Sequence, residues 1–357
     1  MSVIKDDLKC LMEEENQTTF ATLGLFVIYN NTIEDDMLSR KSSLQITLEE
    51  MSREFRMPYT FSPKIVKEQL NNLTKSYAKK TGSCYSIIND KLFDILVSFF
   101  GEHMLELLID LCHSDVLRDR FHLDTIQGEH DECLIIVPGD KHDLYFERLC
   151  YHFTNDNMGV VFSNRQMQYK SYRINIIEIL KNNKQVREFF LSSNKGDRFL
   201  LLTIICRGYA DMLKELIDLK YNLFLPDETV MSLLCIATLY GQTEIVELLL
   251  NNKADPNICY KGMSPLYIAS HHEYTEIVEL LLNNKADPNI CCEEKSSLSP
   301  LCNASHHGYT EIVELLLNNK ANPNICCEGR SPLYSASLRG YTEIVKLLLN
   351  NKADPNI

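Results

Sequence analysis

One seventeen-residue phrase, Thr-Glu-Ile-Val-Glu-Leu-Leu-Leu-Asn-Asn-Lys-Ala-Asp-Pro-Asn-Ile-Cys, limits what this chain can fold into. It runs from Thr243 to Cys259 and returns at Thr275–Cys291 and at Thr310–Cys326, where Asn322 replaces Asp. A last copy runs from Thr342 to Ile357. Thr243 lies 32 residues before Thr275, Thr275 35 before Thr310, and Thr310 32 before Thr342. A self-similar period in the low thirties marks a stack of repeats, each too small to bury its own apolar face.

Each copy reads as a helix and its stop. Ile245, Val246, Leu248, Leu249 and Leu250 crowd one short helix with apolar surface. The Asn251-Asn252 pair and Ala254-Asp255-Pro256-Asn257 then end it, because proline cannot continue a helix and Asn favours turns. A shorter helix precedes each copy and opens with Ser264-Pro265-Leu266-Tyr267, Ser299-Pro300-Leu301-Cys302 or Ser331-Pro332-Leu333-Tyr334. Serine at the N-cap and proline at the first helical position form a sound start. Ala269, Ala304 and Ala336 allow close neighbours, and Gly308 and Gly340 supply the turn between the helices. The pattern resembles the ankyrin repeat, with its Thr-Pro-Leu-His motif present as Ser-Pro-Leu-Tyr or Ser-Pro-Leu-Cys. It departs from that family in lacking the motif histidine. Glu273 stands where the other copies carry glycine, at an expected cost of about 1 kcal/mol if the backbone there is left-handed. Extra residues fall within Cys292 to Leu298. A divergent first copy covers Gly196 to Phe224, since Arg207-Gly208-Tyr209-Ala210-Asp211-Met212-Leu213 echoes the later turns. About five repeats are expected over 196–357.

With 357 residues the chain is long enough for two or three domains, and 45% apolar residues is ordinary for a globular protein. A net charge of −13 argues against coating nucleic acid or an anionic membrane. Thirteen cysteines without a Cys-x-x-Cys spacing point to reduced thiols rather than a secreted disulfide framework. The acidic start, Met1 to Glu15, is not a signal peptide, and Phe20 to Tyr29 is about half a membrane span. A cytoplasmic, soluble protein with no membrane association is expected.

Ahead of the repeats, helical periodicity covers Thr18 to Tyr29 and Thr47 to Phe55, and a third helix starts at Ser62-Pro63. Two strand-like runs follow, near Ser76–Lys79 and Cys84–Ile88, then a long amphipathic helix opened by Asn89-Asp90-Lys91-Leu92-Phe93-Asp94. Three helices and a hairpin is the order of a winged helix. Together with Phe20-Ala21-Thr22-Leu23 and the Asp-Lys-Leu-Phe-Asp helix, this region resembles the part of STAND signal-transduction ATPases that follows the nucleotide-binding core. In some of them a winged helix, a helical connector and ankyrin repeats come in this order. Asn89 replaces that family's usual histidine. The resemblance implies repeats that sense a ligand and a winged helix that relays the signal to an ATPase. No Gly-x-x-x-x-Gly-Lys-Ser/Thr loop is present, Gly139-Asp140-Lys141 being the nearest approach, so no nucleotide hydrolysis is expected. The expected class is mainly α: a tail (1–14), a winged-helix-like domain (15–95), a helical connector (96–195) and an ankyrin-repeat solenoid (196–357). Within the connector, Cys133–Val137 reads as a strand or a helix end, and Asp143–Phe153 and Tyr172–Leu180 as helices.

Three groups of residues are candidates for chemistry. Lys64, Lys67, Lys75, Lys79 and Lys80 line the third helix and hairpin, where a DNA-reading winged helix would meet phosphate. No arginine accompanies them to read guanine, so a solvated face, or one meeting an acidic surface, is preferred over nucleic acid. The pairs His271-His272 and His306-His307 recur with cysteine-rich turns, yet they sit at the opposite end of the first helix from Cys291-Cys292 and Cys326-Cys327. Helices pack about 8–10 Å apart, too far for a disulfide between equivalent positions, so neither metal nor disulfide is expected. The scattered His103, His113, His122, His130, His142 and His152 suggest no nucleophile–base pair, so no catalytic residue and no cofactor is assigned.

What varies between otherwise similar repeats remains. Tyr260, Lys261, Met263, Glu293, Glu294, Lys295, Glu328 and Arg330 lie in the turns, and His271, His272, His306, His307, Leu338 and Arg339 on the first helices. The ankyrin resemblance implies that these positions line a concave face gripping a protein partner; drift between recent duplications is the other reading. The last repeat keeps Ile344, Val345, Leu347, Leu348 and Leu349. A solenoid wants a polar end, so further repeats beyond Ile357 or a fraying end are expected.

Overall fold

The computed structural model describes residues 2–12, 16–39, 43–57, 61–127, 133–155, 158–192, 197–219, 233–260, 262–290, 299–326 and 330–357. The chain divides into two compact units, Met1–Ser193 and Asn194–Ile357.

The first unit runs α1 (Ser2–Leu11), α2 (Gln17–Ile28), β1 (Ile33–Glu34), α3 (Ser43–Glu54), α4 (Pro63–Leu73), β2 (Ala78–Thr81), β3 (Cys84–Ile87) and α5 (Asp90–His103). It continues with α6 (Leu105–Leu111), α7 (Ser114–Asp119), β4 (Phe121–Leu123), β5 (Ile135–Val137), α8 (His142–Thr154), α9 (Met158–Phe162), α10 (Lys170–Asn182) and α11 (Lys184–Ser192). The residues read as a tail form α1, tied to α5 by a 3.1 Å bond from Lys5 Nζ to Glu102. Helix α2 is the centre of this unit, with Phe20 through Ile28 all buried. An all-round apolar helix must be covered on every side, and the Phe20 ring meets Phe55, Phe99 and Phe100 at 4.7–6.1 Å. Helix α4 starts as expected: Ser62 accepts from the Ile65 N–H, with Pro63 at the first helical position. The hairpin forms with Ala78 opposite Ile87, and β1 joins it to give an antiparallel sheet in the order β1-β3-β2. At two residues β1 is too short to show alternation in the sequence. Strand β5 is the run seen at Ile135–Val137, and it pairs in parallel with β4. A dry polar cluster fixes this pair. Gln166 accepts from the Leu123 N–H at 2.8 Å and donates to the Tyr145 hydroxyl at 3.1 Å. Asn164 also donates to Tyr145, whose oxygen lies 3.0 Å from that of Tyr172. Burial pushes the Tyr145 phenol up to about 12, so the cluster stays neutral.

Among its described residues the second unit has five helix pairs: α12 (Asp197–Arg207) with α13 (Ala210–Asp218), α14 (Leu233–Leu239) with α15 (Thr243–Asn251), α16 (Pro265–His271) with α17 (Thr275–Asn283), α18 (Pro300–His307) with α19 (Thr310–Asn318), and α20 (Pro332–Arg339) with α21 (Thr342–Asn350). First helices pack on first helices along the stack, and second helices on second helices. The serine caps hold as read: Ser264, Ser299 and Ser331 accept from the N–H three residues on at 3.1–3.2 Å.

Second helices stop by a device that the Asn and Pro residues conceal. Lys253, Lys285, Lys320 and Lys352 all adopt φ of 67–68°, in the left-handed region. The Lys253 N–H bonds to Leu250 O, and the Ala254 N–H reaches back to Leu249 O, both at 3.0 Å. This is the Schellman arrangement, repeated at every copy with lysine where glycine is usual.

A ladder of asparagines joins successive turns. Asn257 Oδ1 accepts from the Asp287 N–H at 2.7 Å, while its Nδ2 donates to Lys285 O at 3.4 Å. Asn289 repeats both bonds with Asn322 and Lys320, and Asn324 with Asp354 and Lys352. Asn322 also keeps the acceptor role of the aspartate it replaces, taking the Asn324 N–H at 3.0 Å as Asp287 takes that of Asn289 at 2.9 Å.

Burial along the stack yields a matched test. Leu317 and Leu349 occupy the same position in consecutive repeats, 7% and 45% exposed respectively. Leu317→Ala should cost about 2–4 kcal/mol and Leu349→Ala under about 1 kcal/mol in urea denaturation. Equal costs would mean that stacking does not supply the stability.

Candidate functional site

The varied positions fall into two zones of the second unit. In the turn zone, Tyr260 and Met263 exchange backbone hydrogen bonds at 2.9 Å across Gly262, whose φ is 72°. Tyr260 is half-buried and Met263 exposed. Arg330 is exposed in the last turn, its carbonyl accepting from the buried Cys302 thiol at 3.6 Å. Lys261, Glu293, Glu294, Lys295 and Glu328 lie outside the described residues, as do Cys291, Cys292 and Cys327. Cys259 is disulfide-bonded, which corrects the expectation of reduced thiols throughout; the exposed Cys326 is not in a disulfide. Successive turns are also joined directly, the Asn257 side chain accepting from the Asp287 N–H at 2.7 Å.

The second zone is the C-terminal end of the first helices. Here the four histidines meet. The His271 ring lies 5.0 Å from both His272 and His307, and His307 lies 5.2 Å from His306. Tyr267 stacks on His271, Tyr274 on His272 and Tyr309 on His307, at 5.6–6.1 Å. Arg339 donates to His306 Nε2 at 3.0 Å, and His271 Nδ1 lies 3.4 Å from Asn303 Oδ1. Burial first, then neighbouring positive groups, hold His272, His306 and His307 below the ordinary imidazole range. His271 acts on His272 and on His307, and Arg339 on His306 and His307. Leu338, at 65%, is strongly exposed beside them.

The repeat register shows what residue-by-residue reading missed. Tyr240, His272, His307 and Arg339 all stand three residues before the threonine that opens the second helix. Leu239, His271, His306 and Leu338 form the row beside them. Tyr240 and Tyr334 expose about half their surface, and both were absent from the sequence-based set although the same alignment would have found them.

The lysines of the first unit are partly engaged. Lys67 and Lys80 both pair with Asp35, at 3.3 and 2.9 Å, and Lys80 also bonds to the Tyr85 hydroxyl. The Lys80 bond is the chief cause holding the Asp35 carboxyl below its usual range. Lys64, Lys75 and Lys79 are exposed without a carboxylate partner among the described residues. Among these residues no cluster of three or more His, Cys, Asp or Glu is arranged to hold a metal ion, and no helix is long and apolar enough to cross a membrane.

Residues 200–291 and 284–357 match the family model described as ankyrin repeats, three copies. No curated protein matches the chain. Residues 200–357 are thus built of ankyrin repeats.

Glu273 has φ of 60°, where Gly241, Gly308 and Gly340 stand in the other repeats at 64–85°. Glu273→Gly should therefore raise stability by about 0.5–1 kcal/mol, the left-handed strain less the entropy of a freer unfolded chain. A lower unfolding midpoint for this variant would refute the strain argument.

Proposed function

We propose that the ankyrin repeats of residues 200–357 serve as a rigid protein-binding module whose partner lies along the turns and first helices. The observation that carries this reading is the contrast within each repeat. Second helices are near copies with their apolar side chains buried, whereas the exposed positions beside them change from Tyr to His to Arg. Constant packing with a variable exposed row is what a display surface needs. Stacked repeats hold these side chains in place beforehand, so association loses little ordering entropy. Tyr260, Tyr334, Arg330 and Arg339 are of the types that dominate binding energy at interfaces.

The first unit reads as a winged-helix-like domain and helical connector of the STAND type, acting as the relay of a larger signalling protein. Supporting this is the order α2-β1-α3-α4-β2-β3 with the sheet order β1-β3-β2, followed by the long helix α5. Nucleic-acid binding by this unit is disfavoured, since two of the five lysines already pair with Asp35. The reading assigns the chain no catalysis and no cofactor, and places it in the cytoplasm.

The test is an affinity capture from extract with the full chain and with its Tyr260→Ala/Arg330→Ala double variant. At least one captured protein should fall about tenfold or more with the variant. If every protein held by the native chain is held equally by the variant, the turn face is not the binding surface.

A further inference from the structure

We infer that the imidazole and guanidinium row of α16, α18 and α20 docks a carboxylate-rich segment of a partner protein and takes up protons as it does so; this deepens the protein-binding reading above and rests on it. The row consists of His271, His272, His306 and His307, with Arg339 at its end.

The first observation is what these groups lack. Arg339 spends a guanidinium N–H on the Nε2 of His306, an uncharged acceptor, at 3.0 Å. A guanidinium makes stronger bonds to a carboxylate, in a two-pronged geometry, wherever one is within reach. None is: among the described residues, no carboxylate pairs with His271, His272, His306, His307, Arg330 or Arg339. The carboxylates on neighbouring elements are Glu273 in the turn after α16, Glu276 and Glu279 on α17, Glu311 and Glu314 on α19, and Glu343 on α21. Glu343 pairs instead with Lys346 at 3.7 Å. The charged and titratable groups that act on the histidines are His271, His306, Arg330 and Arg339, and no acid is among them. In a chain of net charge −13, a row from which acids are missing is a local arrangement and not a product of composition.

The second observation is crowding. Four imidazoles in a chain, successive rings 5.0–5.2 Å apart, cannot all take protons without a counter-charge. His272, His306 and His307 are therefore largely uncharged at neutral pH in the unliganded row. Incoming carboxylates supply the counter-charge, raise the affinity of the rings for protons and gain charge-assisted hydrogen bonds from them. The sign follows from linkage. His272, His306 and His307 titrate below 6.5 when free and higher when occupied, so affinity rises as pH falls through that interval and levels off below it. Glutamate side chains, with a pKa of about 4.3, remain charged over that range.

The probe is a fluorescent hexaglutamate peptide, with hexaglutamine as control, titrated with the full chain by anisotropy at about pH 7.5 and about pH 5.5. Binding of hexaglutamate is expected to tighten about fivefold or more at the lower pH and to weaken as salt rises. His306→Gln/His307→Gln should remove most of the pH dependence. Arg339→Gln should weaken binding about fivefold at both pH values, the weight of one exposed ion pair. The salt and pH dependence of the native chain tests the idea without any variant. If hexaglutamate binds no better than hexaglutamine at either pH, or if the variants leave affinity and its pH dependence unchanged, the inference is overturned. Should that happen while Tyr260→Ala/Arg330→Ala still releases a captured protein, the binding module stands and only its acidic ligand is lost.

Discussion

A nine-residue helix carrying Ile, Val and three leucines has nowhere to hide them except against another of its kind. That constraint governs the second unit. Leu281 is fully buried between neighbours, and Leu250, Leu282 and Leu317 are nearly so, while Leu349 at the end of the stack is not. The buried positions of the second helices therefore cannot drift in sequence without loosening the stack.

The same constraint sets other positions free. At the C-terminal end of the first helices the side chains face water and each other rather than the core, so tyrosine, histidine and arginine substitute at one register without disturbing the stack. Tyr240, His272, His307 and Arg339 share that register. Their closeness is a product of stacking: His271 and His307 belong to different repeats and meet because α16 packs on α18. A surface chemistry found in neither repeat alone arises from their adjacency.

The repeat architecture was legible because its signals are local and recur: the serine–proline starts, the glycine turns and the apolar helices all stand where the residues put them. Glu273 was legible too, since its neighbours in register are glycines and its φ is positive as theirs are. Less legible was whatever depends on distant partners. Lys253 and its equivalents look like ordinary surface lysines, and only the backbone shows them in left-handed caps. Strand β4 and the two-residue β1 exist through pairing with β5 and β3, so no periodicity announces them. Lys67 and Lys80 looked like a free basic face because Asp35, their shared partner, lies on the far side of α3 in sequence. The disulfide at Cys259 was discounted because the spacing of packed helices was taken as the measure for every cysteine.

The asparagine ladder treats its neighbour in a particular way. Asn257, Asn289 and Asn324 each grasp one amide and one carbonyl of the following turn, and both belong to the main chain. Such a clasp is indifferent to which side chains the next unit carries, and the exchange of Asp for Asn at residue 322 passes without breaking it. Units joined this way are interchangeable parts: a duplicated, deleted or transplanted segment brings its own hook and finds a ready eye. The latitude seen at the exposed register, set against the sameness of everything beneath it, is what a gene copying whole units through such a coupling would leave behind.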